Sequence, residues 1–346
     1  MRSKDIGFFP HLLLYALSVI YGLVVRLRFF LYKAGVFKTK KLPCPVISVG
    51  NITVGGTGKT PVAIFIAELL SAKGKRVVIL SRGYGRRAKG IAVVSDGINV
   101  LLDPGRAGDE PRLMAERGKG IPVVVGACRY KAGLFIVDKF APDVIILDDG
   151  FQHIALERNV NILLIASRDG LGNGYLIPRG VLREPAEGAG RADIVLIKGK
   201  GVIPYDMDAS QHKKPPVFNF TYKPQCLVDL KSGKKTPLEL IRGKDVVAVS
   251  GIAAPESFAA TLKELDARIT KSLTYPDHHD YAENDLRDIA AVCGPNGLIV
   301  TTEKDGVKLK RFAAKDIPLY TLAVSVSMDD ATGFEKTLAR LLPGGF

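Results

Sequence analysis

Gly50-Asn51-Ile52-Thr53-Val54-Gly55-Gly56-Thr57-Gly58-Lys59-Thr60 is the stretch whose reading decides the fold. Pro45-Val46-Ile47-Ser48-Val49 before it reads as a short buried strand, and Thr60 to Lys73 after it as a helix stopped by Gly74. Pro61 fits a first helical turn, which needs no backbone donors. Strand, glycine loop and helix in this order make a phosphate cradle of the P-loop kind. Glycines let successive N–H groups turn towards one phosphate, and the helix N-terminus adds partial positive charge. Lys59 would reach the β- and γ-phosphates of ATP, and Thr60 would hold Mg²⁺. The nucleotide-binding segment is therefore expected to be Thr53, Val54, Gly55, Gly56, Thr57, Gly58, Lys59 and Thr60. The usual pattern carries Gly five residues before Gly58, where this chain has Thr53.

Such a loop needs an acid at the end of a buried strand to hold Mg²⁺. Asp143-Val144-Ile145-Ile146-Leu147 is such a strand, an apolar run of the kind found in central parallel strands, and it closes with Asp148-Asp149. Both carboxylates are candidate metal ligands. Around these motifs the chain alternates in the α/β manner. Arg76 to Ser81, Ile121 to Gly126 and Val160 to Ala166 read as strands, and Ile91 to Asp103 as a hairpin about Asp96-Gly97. Pro111 to Arg117 and Tyr130 to Phe140 read as helices. The expected architecture is α/β: a P-loop NTPase-like, mostly parallel sheet wrapped by helices, with ligands at the carboxyl ends of the strands.

The remainder divides by composition. Residues 1–41 form an apolar segment with a basic flank, 42–214 the P-loop domain, 215–243 a hairpin or linker region, and 244–346 a smaller C-terminal α/β domain. In the last, Val246 to Ser250, Leu298 to Thr301 and Leu319 to Val324 read as strands and Pro255 to Leu265 as a helix. This domain is expected to bring His278 towards the P-loop across a cleft.

The 346 residues, 47% of them hydrophobic and 24% charged, describe a globular chain and exclude a disordered, collagen-like or polytopic membrane protein. The excess of 49 Lys and Arg over 35 Asp and Glu, +14, favours anionic partners. Cys44, Cys128, Cys226 and Cys293 form no C-x-x-C pair, so neither a zinc site nor a redox motif is visible.

Ile6 to Val25 carries no charged side chain and, as a helix, is long enough for a hydrocarbon core of about 30 Å. Arg26, Arg28, Lys33, Lys38, Lys40 and Lys41 follow, a basic flank that belongs on the cytoplasmic side. A secretory leader or a buried core helix would share the apolar run. The flank favours a membrane-associated helix, spanning or lying in the interface, with its basic residues on acidic headgroups.

Gly55-Gly56-Thr57-Gly58-Lys59-Thr60-Pro61, Ser81-Arg82-Gly83-Tyr84-Gly85-Arg86, Gly108-Asp109-Glu110-Pro111 and Asp148-Asp149-Gly150-Phe151-Gln152-His153 occur in that order. Leu182-Arg183-Glu184-Pro185, Asp277-His278 and Thr302-Glu303-Lys304-Asp305 follow. This ordered set resembles the tetraacyldisaccharide 4′-kinase family, the lipid A kinases of Gram-negative bacteria, from the apolar segment to about Asp305. The resemblance implies transfer of the γ-phosphate of ATP to the 4′-hydroxyl of tetraacyldisaccharide 1-phosphate, giving lipid IVA and ADP. It also implies residence at the cytoplasmic face of the bacterial inner membrane. It makes Asp109 the base for the acceptor hydroxyl and His278 its partner. Without it, Gly-Asp-Glu-Pro also reads as a helix start capped by Asp109, and His278 and His279, beside Asp277 and Asp280, as a weak metal site or a solvated loop. Glu110 would bind Mg²⁺ directly or through water. Arg129 and Arg183 carry guanidinium forks suited to phosphate oxygens, one for the transferring phosphoryl group and one for the lipid phosphate.

The catalytic set is thus Asp109, His278, Lys59, Arg129 and Arg183, and the metal set Thr60, Glu110, Asp148 and Asp149. A monomer without a nucleic-acid partner is expected. The rival reading is a membrane-docked P-loop nucleotide switch or ATPase. It shares Lys59, Thr60 and Asp148 but has no need of Asp109 with His278.

Overall fold

The computed structural model describes residues 8–199, 214–313 and 317–346. Residues 6 and 7 of the apolar segment and 200–213 of the expected P-loop domain lie outside the described residues. In chain order the main elements are α1 (Phe8–Lys33), β1 (Val46–Gly50), α2 (Lys59–Ala72), β2 (Val77–Ser81), β3 (Ala92–Ser95), α3 (Pro104–Ala107), α4 (Asp109–Arg117), β4 (Val123–Val125), α5 (Arg129–Phe140), β5 (Val144–Asp148), β6 (Val160–Ala166), β7 (Ile194–Lys198) and β8 (Val217–Asp229). They continue with β9 (Lys235–Thr236), β10 (Asp245–Ser250), α6 (Pro255–Glu264), β11 (Arg268–Thr274), α7 (Glu283–Ala291), β12 (Leu298–Thr302), α8 (Glu303–Leu309), β13 (Leu319–Met328) and α9 (Ala331–Leu341).

The chain divides into two compact units that interleave along the sequence. The first comprises Met1–Arg82, Gly126–Thr221 and Met328–Phe346, and the second Gly83–Val125 and Tyr222–Ser327. The sequence reading has contiguous domains instead, with 83–125 beside the P-loop.

In the first unit the strand order is β8, β7, β6, β1, β5, β2, every pair parallel. All residues of β1, β2 and β5 are buried, which is why these strands read as Val, Ile and Leu runs, interrupted within only by Ser48. Each such side chain contributes roughly 1.5–3 kcal/mol of burial. β1 and β5 are neighbours with Val49 opposite Asp148, so the acid at the end of β5 stands level with the start of the glycine loop. That adjacency requires Gly50: a Cβ there would lie 2.8 Å from the Phe151 backbone nitrogen. Gly50→Ala is expected to cost about 1–3 kcal/mol through overpacking. An unchanged thermal midpoint would contradict this.

The expected hairpin or linker at 215–243 takes another form. Val217 to Phe220 extend the parallel sheet beside β7, and the strand continues through Pro224 to Asp229. Only Leu227 and Val228 form a hairpin, with Thr236 and Lys235. Phe218 packs edge-on against Phe334 of α9 at 5.6 Å, which buries an aromatic that the sequence reading left in a connector.

α1 runs beyond the expected Val25 through Arg26 and Arg28 to Lys33. Its segment His11–Lys33 is long and apolar enough to cross a membrane, with only 11% of the apolar window buried. One stripe faces the body of the unit: Ser18 is buried, the Tyr21 hydroxyl donates to the Arg183 carbonyl at 2.7 Å, and a Cβ on Gly22 would meet Leu176. Leu13, Ile20, Leu23, Val24 and Leu27 are exposed, an apolar face larger than a water-soluble surface sustains. Ile20→Glu combined with Leu27→Glu should leave the fold intact and reduce liposome flotation at least about tenfold, from the cost of charge in the apolar layer. Undiminished flotation would contradict membrane contact through this face.

The second unit carries the parallel strands β11, β10, β12 and β13 in that order, and a separate antiparallel pair β3–β4. Of the expected hairpin at Ile91 to Asp103, only β3 is a strand. Its return arm is a single bridge, Ser95 to Val100. Val247, Val249, Ile299, Leu319 and Tyr281 form a core between β10, β12, β13 and the loop after β11. The N-cap of α8 is Thr302, whose side chain accepts from the Asp305 N–H. The fully buried Asp305 carboxylate accepts from Gly251 N at 2.9 Å and from Thr302 Oγ1 at 2.6 Å, which fixes where this helix starts.

Candidate active site

The glycine loop is pinned on one side and open on the other. Val54 N donates to Val181 O at 2.7 Å, Arg183 N donates to Ile52 O at 2.8 Å, and Thr53 pairs antiparallel with Leu182. Thr53 therefore sits in extended backbone, which suits a β-branched residue, and needs none of the freedom that glycine supplies. Gly55 and Gly58 do need it, at φ 115° and 95°. Gly58 is the N-cap of α2 and brings no capping side chain to the first-turn N–H groups, the arrangement that suits an anion. Thr57 and Thr60 are buried in this turn.

Two carboxylates close the loop from β5, and they differ. Asp148 is 1% exposed and accepts from Ser81 Oγ at 3.1 Å. Asp149 sits at φ 49°, a left-handed conformation that non-glycine residues rarely adopt, and this turns its side chain towards cations. Arg183 grips it with both arms, Nη1–Oδ1 at 2.8 Å and Nη2–Oδ2 at 3.1 Å, and Lys59 Nζ lies 3.8 Å away. Burial raises the Asp149 carboxyl, but Lys59, Arg183 and Arg129 outweigh it and hold it below the ordinary range. Arg183 also donates to Asn51 Oδ1 at 3.1 Å. Arg129, 3% exposed, opens α5 and donates to the carbonyls of Gly126 and Ala127 at 3.1 and 3.3 Å.

The rest of the Asp-Asp-Gly-Phe-Gln-His run is scaffold for this corner. Gln152 Nε2 donates to Asn51 O and to Glu184 Oε1, both at 2.7 Å, tying the loop to the Leu-Arg-Glu-Pro segment. His153 is pushed down to about 4 by burial and then by Arg129, Arg158, Arg28 and Arg82, so it stays neutral.

Among the described residues no group of three or more His, Cys, Asp or Glu is placed to hold a metal ion. The Thr60 hydroxyl and the Asp148 carboxylate are hard oxygen donors. They fit a Mg²⁺ that takes its other ligands from nucleotide phosphates and water.

The second unit holds the other cluster. Asp109 does not cap α4. The N-cap is Gly108 at φ 92°, and Asp109 is the first helical residue. Its carboxylate meets Lys308 Nζ at 3.1 Å and His278 Nδ1 at 3.5 Å. His278 sits at φ 63°, again left-handed, with its ring 5.5 Å from that of Tyr84. Its Nε2 faces Lys304 Nζ at 3.1 Å. Lys304 also meets Asp277 Oδ1 at 2.9 Å and Glu110 Oε1 at 3.6 Å. Burial raises the Asp109 carboxyl, yet His278 and Lys308 hold it below the ordinary range. The neighbouring His279 pairs with Asp285 at 3.0 Å and stacks on Tyr275, away from Asp109.

The first unit thus gathers Lys59, Thr60, Asp148, Asp149, Arg129 and Arg183, and the second gathers Asp109, Glu110 and His278. Sequence reasoning named Ser81, Gln152 and Lys304 as motif members without giving them a role, and missed Lys308. For the lysines a signal existed: they stand four residues apart in a helix whose capping spacing, Thr302-x-x-Asp305, is legible.

A parallel sheet with a phosphate loop and an acid on the adjacent strand defines a P-loop nucleotide-binding protein. The family model described as "Tetraacyldisaccharide-1-P 4'-kinase" matches residues 10–343. The tetraacyldisaccharide 4′-kinase of Desulfatibacillum aliphaticivorans is 43% identical over 342 residues, covering 95% of this chain and 92% of its own. That of Syntrophus aciditrophicus is 40% identical over 350 residues, covering 96% and 94%. Among solved structures, the "apo" form of LpxK from Aquifex aeolicus in complex with ATP superposes with a TM-score of 0.79 at 35% identity, covering 95% of this chain and 98% of that one. The chain belongs to the tetraacyldisaccharide-1-P 4′-kinase family. The resemblance read from the sequence to about Asp305 therefore extends to residue 343.

Proposed function

We propose that this protein is an ATP-dependent lipid kinase. It transfers the γ-phosphate of ATP to the 4′-hydroxyl of tetraacyldisaccharide 1-phosphate and releases lipid IVA and ADP, a step of lipid A biosynthesis. The whole-length family match carries the reaction. The pairing of Asp109 with His278 supports the reading as a kinase over a nucleotide switch, which has no acceptor to deprotonate.

Phosphoryl transfer is mostly positioning and charge neutralisation. The loop N–H groups from Gly55 to Thr60 cradle the phosphates. Lys59 follows the charge that builds on the γ-phosphoryl oxygens, and Asp149 holds Lys59 and Arg183 in place. Thr60 and Asp148 would hold Mg²⁺, and Glu110 is a further candidate ligand, directly or through water; bound, the ion would supply charge neutralisation to the nucleotide phosphates. Asp109 takes the proton of the 4′-hydroxyl as that oxygen bonds to phosphorus and the bond to the β-phosphate oxygen breaks. His278 orients the carboxylate. Arg129 and Arg183 neutralise phosphate charge.

The apolar face of α1 and its basic flank support docking on acidic headgroups at the cytoplasmic face of the inner membrane, with the protein acting as a monomer. The test is transfer of label from γ-labelled ATP to tetraacyldisaccharide 1-phosphate in detergent micelles. Labelled lipid is expected. ATP hydrolysis without labelled lipid would sink the kinase reading and favour the switch.

A further inference from the structure

Not all of α1 is given to the apolar face described above. Ser18, Tyr21, Gly22, Val25 and Phe29 are buried or half-buried, at spacings of three and four that place them on one inner stripe. A tyrosine in a membrane helix ordinarily keeps its hydroxyl at the wet end, among headgroups or water. The Tyr21 hydroxyl instead turns inward and donates to the Arg183 carbonyl at 2.7 Å. The helix comes close at this point, since a Cβ on the adjacent Gly22 would lie 2.7 Å from Leu176 Cδ1.

Arg183 is thereby gripped on both sides of its backbone. Its N–H donates to Ile52 O at 2.8 Å, just ahead of the glycine loop, and its carbonyl accepts from Tyr21. Its guanidinium spans Asp149 and Asn51. The backbone grip sets where this long, rotamer-rich side chain starts, and the fork sets where it ends. A cation helps a phosphoryl transfer only as far as it is already aimed when charge develops.

A second tie lies two turns further along α1. Glu184 is fully buried and accepts from Gln152 Nε2 at 2.7 Å and from Arg191 Nη2 at 2.6 Å. The Arg191 guanidinium in turn lies 4.6 Å from the centre of the Phe29 ring and 4.8 Å from that of Phe151. Arg28 Nη2 donates to Gln152 O at 3.3 Å. Tyr21 and Phe29 stand about 12 Å apart along the helix axis. α1 therefore braces the Arg183–Glu184 segment at two points, and all these groups belong to one compact unit.

We infer that the inner stripe of α1 is a positioning element of the phosphoryl transfer, with Tyr21 the positioning residue that aims Arg183 and Phe29 supporting it through Arg191 and Glu184. The inference rests on the proposed kinase reading and on Arg183 as a cation for phosphate charge. The apolar outer face holds the membrane, and the inner stripe serves the nucleotide corner.

The experiment is a double-mutant cycle on the full chain in micelles with saturating lipid, reading kcat, the KM for ATP and liposome flotation. Tyr21→Phe keeps the ring and removes only the hydroxyl. It is expected to lower kcat about fivefold, the scale of one neutral hydrogen bond, with KM for ATP and flotation unchanged. In an Arg183→Ala background the same substitution should change kcat by less than about twofold, because the guanidinium it aims is gone. A residue that only anchors the helix would instead give equal losses in both backgrounds, and that result would overturn the inference. So would a loss confined to flotation or to KM.

Tyr15→Phe is the control on the same helix. Tyr15 packs its ring towards Arg179 and Tyr175 and should tolerate the change at wild-type kcat. A fivefold loss there would assign the effect to the helix as a whole and overturn the role of Tyr21. Should Tyr21→Phe fail to fold, Phe29→Leu enters the same cycle, with a loss expected in the wild-type background and none beside Arg183→Ala. Equal losses would again overturn the inference. Wild type that labels no lipid refutes the kinase reading itself. An active wild type beside a fully active Arg183→Ala, or beside additive losses, refutes only the positioning role.

Discussion

Asp109→Ala should lower phosphoryl transfer about 10²- to 10⁴-fold, the range a positioned general base supplies, and leave ATP affinity unchanged. The expectation comes from where the residue sits. The glycine loop is held by its hydrogen bonds with Val181 and Arg183, none of which involves Asp109. Asp109 also partners the nearly buried Lys308, so the alanine variant leaves a cation without its carboxylate. Part of any loss would then be structural. Asp109→Asn controls for this because it keeps an acceptor for Lys308 and for His278 but not a base. Comparable losses in both variants, with ATP affinity intact, identify the missing base. An asparagine variant within a few-fold of wild type would assign the alanine defect to packing. His278→Ala should follow the same pattern, with transfer falling far more than ATP binding. Equal losses in both would remove His278 from the chemistry.

Lys59→Ala should cost transfer about 10²- to 10³-fold, the scale of losing one preorganised charge at a developing anion. Lys59 is the cationic side chain of the loop itself and begins α2, where the helix N-terminus already favours phosphate. Its removal also takes one of three cations from Asp149. Arg183 remains bidentate on that carboxylate, so the fold of the corner should survive. Single-turnover transfer with saturating ATP isolates the effect. A normal single-turnover rate would show that the phosphate charge is met elsewhere.

How far the sequence reaches is clear from particular elements. β1, the glycine loop and α2 were legible because three local signals coincide there: a mostly apolar run, clustered glycines and a proline in the first turn. The Asp109–His278 pairing was legible only through the ordered motifs of a family, since 169 residues of chain separate the two and no local rule joins them. β11 escaped because it is an edge strand with Arg268 and Lys271 exposed, a composition that protects an edge and hides its alternation. β8 lies in the stretch expected to be a hairpin or linker because Pro224 interrupts its pattern, yet the proline lies where the strand is half exposed and a ladder bond is dispensable. Lys308 went unassigned because its four-residue spacing from Lys304 shows a shared helix face but not that the face is buried, which is a tertiary fact.

The central claim is that this chain phosphorylates one hydroxyl of one lipid. The most direct measurement is label transfer from γ-labelled ATP to tetraacyldisaccharide 1-phosphate beside its 4′-deoxy analogue, in the same micelles with the same enzyme. Labelled product from the first and none from the second is the result predicted. Equal labelling of both, or of neither while ATP is consumed, would contradict it.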